Sequence, residues 1–344
     1  MKFKIEREIL LGPLSAVVGV VEKRQTLPIL SNVLLDLKAN ILTIVGTDLE
    51  VETSINVEVL DGDDGRCTVT ARKLLDICRA LPETATLTFS IEVNKAKLTA
   101  GRSRFTLQTL PPDEFPRLEV ETWEERFKVS QKILKKLFEK TSFSMAQQDV
   151  RYFLNGVLIE LESSNITAVA TDGHRLARST SILQETNLNN KQVIVPRKAV
   201  AELGRFLSDS EEQSTVEINN QHISFTKKNA TLITKLIDGK FPDYKSVMAQ
   251  NLNQKLTADR KLLHEVLART SVLTNEKYRG VRLEFSKGSL KVSANNPEHE
   301  EAVDEIPIDY DGQTVEIGFN VTYLMDALKA ITDDKIEAEL EDST

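Results

Sequence analysis

Asp172 and His174, two residues apart, are the raw material of acid–base chemistry. Glu298, His299, Glu300 and Glu301 offer nitrogen and oxygen donors to a metal ion. Asp61 to Gly65 (DGDDG) has the start of a calcium loop. None of the three carries through. The acidic run matches no metalloenzyme spacing, and H-E-x-x-H is absent. The DGDDG stretch lacks the glutamate at its twelfth position and reads as a hairpin turn. No phosphate-binding glycine loop, nucleotide fingerprint or G-x-S-x-G nucleophile is found. The two cysteines, Cys67 and Cys78, show neither metal-ligand spacing nor a disulfide framework, which suits a reducing cytosol. The expectation is a protein without catalytic residues, metal or cofactor. A metal-dependent hydrolase is the weakest alternative.

The elements around Asp172 and His174 explain them better. From Ser144 to Ala177, a polar loop (Gln147, Gln148, Arg151, Tyr152, Phe153) leads into alternating apolar residues Val157, Ile159 and Leu161. A turn at Ser163 to Asn165 joins them to a second strand, which runs into Thr171-Asp172-Gly173-His174-Arg175. Period-2 alternation marks a half-buried hairpin. The layout occurs three times, with Asp48, Asp172 and Asn295 aligned at spacings of about 124 and 123. A second half-motif recurs at the same period: TVTARKLLDICRALP (68–82), VIVPRKAVAELGRFL (193–207) and VEIGFNVTYLMDALKAI (315–331). Arg72, Arg197 and Asn320 align. Position 172 therefore holds a repeated turn residue, and the aligned GTDLE and SANNP keep no histidine. The period is too long for a solenoid unit, so the sequence predicts three homologous domains, 1–125, 126–250 and 251–344, each with its own core. A charged, aperiodic linker is expected at Glu119 to Arg126 and a polar one at Ser246 to Gln254.

Six helices are expected, one per half-copy. Helix 131–141 shows the pattern best: Ile133, Leu134, Leu137 and Phe138 form one face, Lys132, Lys135, Lys136 and Lys140 much of the rest. Ser130 is a candidate N-cap, as is Thr257 or Asp259 for the helix after it. The 344-residue chain carries a net charge of −8, which taken alone argues against nucleic acid. The distribution argues otherwise. The six helical windows sum to +9, leaving −17 on the remaining chain. Helices sharing one side of the assembly would make a positive track suited to a phosphate backbone. No apolar run approaches the roughly 18 residues that span a bilayer, and the charged start is no signal peptide.

Several words of the chain then resemble one family throughout: MKFKIERE (1–8), TLPILSNVLL (26–35), GTDLE (46–50), GRSRFTLQTLP (101–111), SMAQQDVRYFLNG (144–156), ATDGHRLA (170–177), VPRK (195–198), FPDY (241–244), NEKYRGVRL (275–283) and NNPEHEEA (295–302). The chain is similar to the bacterial DNA polymerase III beta subunits, the sliding clamps. That resemblance implies an α+β fold of three DNA-clamp domains, each of two βαβββ halves. It implies a head-to-tail homodimeric ring with helices lining the bore. The implied function is topological and non-enzymatic: a cytoplasmic processivity factor that encircles duplex and primed DNA. It would tether the replicative polymerase catalytic subunit, meet the clamp loader complex, and bind other polymerases and repair proteins through short linear motifs. The rival of another class is a peptide-binding scaffold that encircles nothing.

The resemblance also assigns roles. Arg24, Arg72, Gln148, Tyr152, Phe153, Arg197 and Lys198 fall on DNA-contact positions, with Phe153 standing where the family has a second tyrosine. Leu154, Thr171, Gly173, His174, Arg175, Leu176, Pro242, Val247 and Tyr323 fall on the partner-peptide pocket, with Ser246 where the family often has arginine. Arg102, Arg104 and Phe105 should meet Val272 and Leu273 of the other protomer. Copy three ends 24 residues after Asn320, whereas copy one runs about 44 past Arg72. The expectation is a C-terminal domain short of a final hairpin of about 20 residues, with an exposed sheet edge.

Overall fold

A computed structural model describes residues 1–22, 27–184, 188–248, 252 and 254–340. The N-terminal copy runs β1 (Lys2–Glu6), α1 (Arg7–Val20), β2 (Asn32–Lys38), β3 (Ile41–Thr47), β4 (Val51–Glu58) and a short β5 (Asp61–Asp63). Its second half is β6 (Gly65–Thr70), α2 (Ala71–Ala80), β7 (Thr86–Glu92), β8 (Lys95–Ala100) and β9 (Ser103–Gln108). The central copy repeats this as β10 (Glu125–Ser130), α3 (Gln131–Glu139), β11 (Gly156–Ser163), β12 (Asn165–Thr171) and β13 (Leu176–Ile182). There follow β14 (Leu188–Pro196), α4 (Arg197–Phe206), β15 (Gln213–Ile218), β16 (His222–Lys227) and β17 (Ala230–Lys235). The last copy holds β18 (Gln254–Asp259), α5 (Arg260–Thr270), β19 (Gly280–Ser286), β20 (Ser289–Asn295), β21 (Glu301–Pro307), β22 (Val315–Asn320), α6 (Val321–Ala330) and β23 (Lys335–Leu340). Each complete half is βαβββ, as expected. Among the described residues β23 pairs only with β18.

Local chemistry sets the strand-to-helix switches. The Ser130 hydroxyl accepts from the Ile133 N–H at 3.3 Å, and the Asp259 carboxylate from the Leu262 N–H at 2.8 Å. Both residues therefore cap the helices they precede. Thr257 lies inside β18 instead. Apolar residues at helical spacing turn inward: Leu74, Leu75 and Cys78 of α2 are buried, while Arg72, Lys73 and Arg79 are exposed.

The expectation of three separate cores fails for the first two copies. β4 and β17 pair antiparallel, Ile55 with Ala230 through Val51 with Thr234. One eight-stranded sheet therefore runs β10-β15-β16-β17-β4-β3-β2-β6 through both copies. Joining two edges satisfies backbone groups that would otherwise be left for another chain. Behind it a single buried cluster contains Leu10 and Val17 of the first copy with Leu134, Leu203 and Phe225 of the second. Hydrophobic periodicity marks which face of a strand is buried but not which edge it shares. The C-terminal copy does keep its own core, around Val266, Leu267, Leu283 and Val292. The first linker is also shorter than expected, because Glu125 and Arg126 already belong to β10. Just before it, Glu52 is 1 % exposed and accepts from Arg117 Nε at 3.0 Å and the Leu118 N–H at 3.0 Å. The buried Glu52 carboxylate, paired with the exposed Arg117, fastens the segment to β4 at the shared joint. Residues 249–251 and 253 of the second linker lie outside the described residues.

Cys67 and Cys78 are buried and unpaired. Burial pushes the Cys67 thiol up to about 12 and the Cys78 thiol up to about 11, with small opposing effects from the chain N-terminus and Arg7. Both folded values lie above the ordinary 9.0. Their contribution to stability is therefore complete below pH 9 and is lost as pH rises through the folded values. A disulfide-exchange reagent at pH 8 should label neither cysteine in the folded protein and both in denaturant. Rapid native labelling would contradict the buried placement.

Candidate nucleic-acid interface and partner pocket

The turn at the end of each copy's second hairpin strand is the organising unit. In the first copy, Thr47 Oγ1 donates to the Val51 carbonyl at 3.0 Å and accepts from the Leu49 N–H at 3.1 Å. Asp48 Oδ1 accepts from the N–H groups of Glu50 (2.9 Å) and Val51 (2.7 Å). The central copy repeats all four bonds. Thr171 Oγ1 donates to the Arg175 carbonyl (2.7 Å) and accepts from Gly173 (3.0 Å), while Asp172 Oδ1 accepts from His174 (2.9 Å) and Arg175 (3.0 Å). Leu49 and Gly173 share a left-handed backbone, φ 78° and 89°. Asp172 is thus a turn-former. In the third copy, buried Val292 and Ala294 fix the strand's facing, so Asn296 rather than Asn295 takes the aligned place, 124 residues after Asp172. Asn296 closes that turn by accepting the Glu300 N–H at 2.9 Å and donating to its carboxylate at 2.6 Å. Among the described residues, no three His, Cys, Asp or Glu side chains are grouped to hold a metal.

The contact positions divide. Arg24 lies outside the described residues. Arg72 and Arg197 open α2 and α4 with exposed side chains, and Arg197 also reaches the Met145 and Ala146 carbonyls at 3.4 Å. Lys198 departs from the phosphate-binding expectation, because its ammonium is paired with both Glu22 and Asp48. Burial works against its charge, but the two carboxylates outweigh that and raise its pKa. Lys198 therefore pins the first two copies together. Gln148 (φ 55°) and Tyr152 are exposed, and the Tyr152 ring meets Phe153 edge-on at 5.7 Å.

The chain forms two compact units: residues 1–138, 145–170 and 178–239 in one, and 139–144, 171–177 and 240–344 in the other. The second unit contains Thr171, Gly173, His174, Arg175, Leu176, Pro242, Val247 and Tyr323; Leu154, buried, belongs to the first. Arg175 is the hub. Its guanidinium bonds Asp172 Oδ2 (3.1 Å), Asp326 Oδ2 (2.8 Å) and the Phe143 carbonyl (2.6 Å). It stacks 4.4 Å from the Tyr323 ring centre, and His174 lies over the same ring at 6.4 Å. Arginine's planar fork is what permits three acceptors and a stacked ring at once. Val247 is 73 % exposed and its neighbour Met248 42 %, an apolar offering to solvent. Ser246 is exposed and its hydroxyl donates to the Asp243 carbonyl at 2.7 Å. Phe143, Asp326 and Met248 were not foreseen. Neither periodicity nor a motif word marks a residue 151 positions away as a partner.

At the edges, Arg102 and Arg104 are exposed on or beside β9, the rim of the five-stranded sheet. Phe105 is half-buried against its own core. Val272 is 76 % exposed in the short turn Ser271–Leu273 after α5, and Leu273 is half-buried. Among the described residues β21 is one edge of the C-terminal sheet, with Val303 53 % exposed.

Paired βαβββ halves with recurring turns, and helices bearing exposed basic residues, define a DNA-clamp protein. Residues 1–119, 128–243 and 245–344 match, in turn, the N-terminal, central and C-terminal domains of the DNA polymerase III beta subunit. The chain belongs to this family, the beta sliding clamps, whose role is non-catalytic. It is 47% identical over 344 residues to the beta sliding clamp of Pseudomonas putida and 44% identical to that of Escherichia coli, covering 100% of this chain and 94% of each relative. A crystal structure of the sliding clamp from Pseudomonas aeruginosa bound to griselimycin superposes with TM-score 0.97 at 47% identity, covering 100% of this chain and 93% of that one. The clamp of Bartonella birtlesii, also with griselimycin, gives 0.95 at 33% identity, with 100% and 93% covered. Among the described residues no helix is long and apolar enough to cross a membrane.

Proposed function

We propose that two copies of this chain close head to tail into a ring. Their basic helix faces hold duplex DNA, and their pockets dock short linear motifs of the replicative polymerase, the clamp loader, and other polymerases and repair proteins in the cytoplasm. One observation carries the DNA half: Arg72, Lys73, Arg79, Lys136 and Arg197 are exposed on aligned helices of an acidic chain. Contacts to phosphates alone carry no sequence information, which permits sliding. A scaffold that encircles nothing has no use for such faces. The test is the salt dependence of duplex binding. Arg72→Ala should weaken binding to all sequences alike and lower the slope of log affinity against log salt by about one. An unchanged slope would remove Arg72 from the DNA face.

The β4–β17 joint supplies a template for closing the ring. β21 is to copy three what β4 is to copy one, and β9 is to copy one what β17 is to copy two. Transferring the register sets Phe105 opposite Ala302 on the inward face, beside Val272 and Leu273. It sets Arg104 opposite Val303 on the outward face, between Glu301 and Glu305. Opposite charges across a strand pair favour that register. The pocket half of the proposal rests on the His174–Tyr323–Arg175 stack and the exposed Val247.

A further inference from the structure

A groove of about 550 Å³ opens where the end of β4 meets the start of α1, and it shares no residue with the Arg175 pocket or the basic helix positions. Its lining is apolar. Val57 and Val59 are buried, while Ile9, Ile41 and Leu60 are 46 %, 37 % and 59 % exposed. Glu6 and Glu58, both exposed, line it as well, and among the described residues neither carboxylate has a cation partner. Apolar side chains scattered singly on a surface are ordinary, but three in one groove mark an interaction site. The other copies do not keep them, as strand register shows. Ile41 faces Glu58 as Ser289 faces Pro307, and Ile41 faces Lys38 as Asn165 faces Glu162. The Leu60 N–H donates to the Lys4 carbonyl (2.9 Å) as the Asp309 N–H donates to the Thr257 carbonyl (2.8 Å). Ile41 and Leu60 therefore stand where the third copy has Ser289 and Asp309, and the second copy has Asn165 at the first of these places. The fold accepts polar residues there, so neither the hairpin nor the turn requires the apolar ones.

The groove also offers backbone. β17 accompanies β4 only as far as Ile55, and one residue further the Asn56 N–H donates to the Asn229 carbonyl at 2.8 Å. Strand geometry turns the N–H and carbonyl of Glu58 to the same side as those of Asn56, past the end of β17. We propose that this groove docks an extended segment of another protein, one with apolar side chains at alternate positions and lysine or arginine flanking them. Such a segment continues the line of β17 and bonds the Glu58 backbone. It seats its apolar side chains among Ile9, Ile41 and Leu60 and brings its cations to Glu6 and Glu58. Two carboxylates without cations repel phosphate, which turns away both DNA and an anionic membrane.

The test uses the full chain and a fluorescein-labelled peptide, Lys-Leu-Thr-Leu-Lys, followed by fluorescence anisotropy. Its leucines share one face of an extended chain, and its lysines flank them. Saturable binding is expected below about 1 mM. Leu60→Asp and Ile41→Ser, which bring in the residue types of the third copy, should each weaken it about tenfold. Both should keep the wild-type dimer mass and affinity for duplex DNA. Glu58→Lys should weaken this peptide about tenfold and let Glu-Leu-Thr-Leu-Glu bind in its place. Hydrogen exchange at the Glu58 amide should slow at saturation. Absence of saturable binding by about 1 mM, or equal binding of the glutamate peptide to wild type, would overturn the proposal. So would an unprotected Glu58 amide in the saturated complex. A loss of binding in Val247→Ala with none in Leu60→Asp or Ile41→Ser would place the peptide in the Arg175 pocket and overturn the groove.

Discussion

Phe105→Asp should convert the protein from a dimer of twice 38.6 kDa into a monomer across the micromolar range. At the proposed joint the ring of Phe105 faces Ala302 and the Val272–Leu273 turn, an apolar meeting place. A carboxylate there must either stay hydrated, holding the strands apart, or lose its water with no cation to replace it. Either outcome costs several kcal/mol, enough to raise the dimer dissociation constant about a thousandfold. The monomer should remain folded, because Phe105 is only half-buried in its own protomer. Sedimentation with circular dichroism checks both statements. Leu273→Asp should act alike from the other side. Reversing Arg104 to Glu should cost less, since an exposed pair between strands contributes only about 1 kcal/mol or less. An unchanged dimer in Phe105→Asp would mean that the protomers meet elsewhere.

The second large effect is expected in the pocket. Arg175→Ala should abolish measurable binding of a short linear clamp-binding peptide and destabilise the C-terminal unit by about 3 kcal/mol. The arginine side chain is 18% exposed, and its removal leaves Asp172 and Asp326, themselves 16% and 26% exposed, without their shared cation. It also strips Tyr323 of the guanidinium beneath it, so the face that His174 stacks on is no longer held. Arg175→Lys should rescue little. One ammonium cannot bond two carboxylates and a carbonyl in a plane while lying on a ring. Val247→Ala makes a useful contrast: the side chain is 73 % exposed, so peptide affinity should fall with stability unchanged. Calorimetric titration beside thermal unfolding separates the two. Full peptide binding by Arg175→Ala would show that the stack is ornamental to recognition.

How much of this the sequence disclosed depends on the range of the interaction. Strand alternation, helix faces and the Ser130 and Asp259 caps are local, and they were legible because each is set within a few residues. The repeat was legible because two half-motifs share one period. Its third register slipped by one residue, from Asn296 to Asn295, because only the inward facing of Val292 and Ala294 decides it. What involves distant residues was not legible. The sequence shows Lys198 as one more basic residue on a basic helix, yet Glu22 and Asp48 claim it from 176 and 150 positions away. The same holds for the sheet shared through β4 and β17. The equivalence of Thr47–Val51 and Thr171–Arg175 gives that fact a functional side. The same turn holds Asp48 to Lys198 in the first copy, whereas in the second it sets His174 and Arg175 around Tyr323. One turn closes a joint and its counterpart opens a pocket, and the difference lies in which side chains occupy the positions after the aspartate.

Topology is the central claim, and retention on circular DNA tests it most directly. The protein would be loaded by a bacterial clamp loader onto a nicked circle, washed at high salt, and followed before and after the circle is cut once. A closed ring with only phosphate-type contacts should stay on the intact circle at salt concentrations that abolish binding to short duplex, and leave within minutes of linearisation. Release from the intact circle by salt alone, or retention that ignores the cut, would contradict encirclement and return the basic helices to ordinary surface binding.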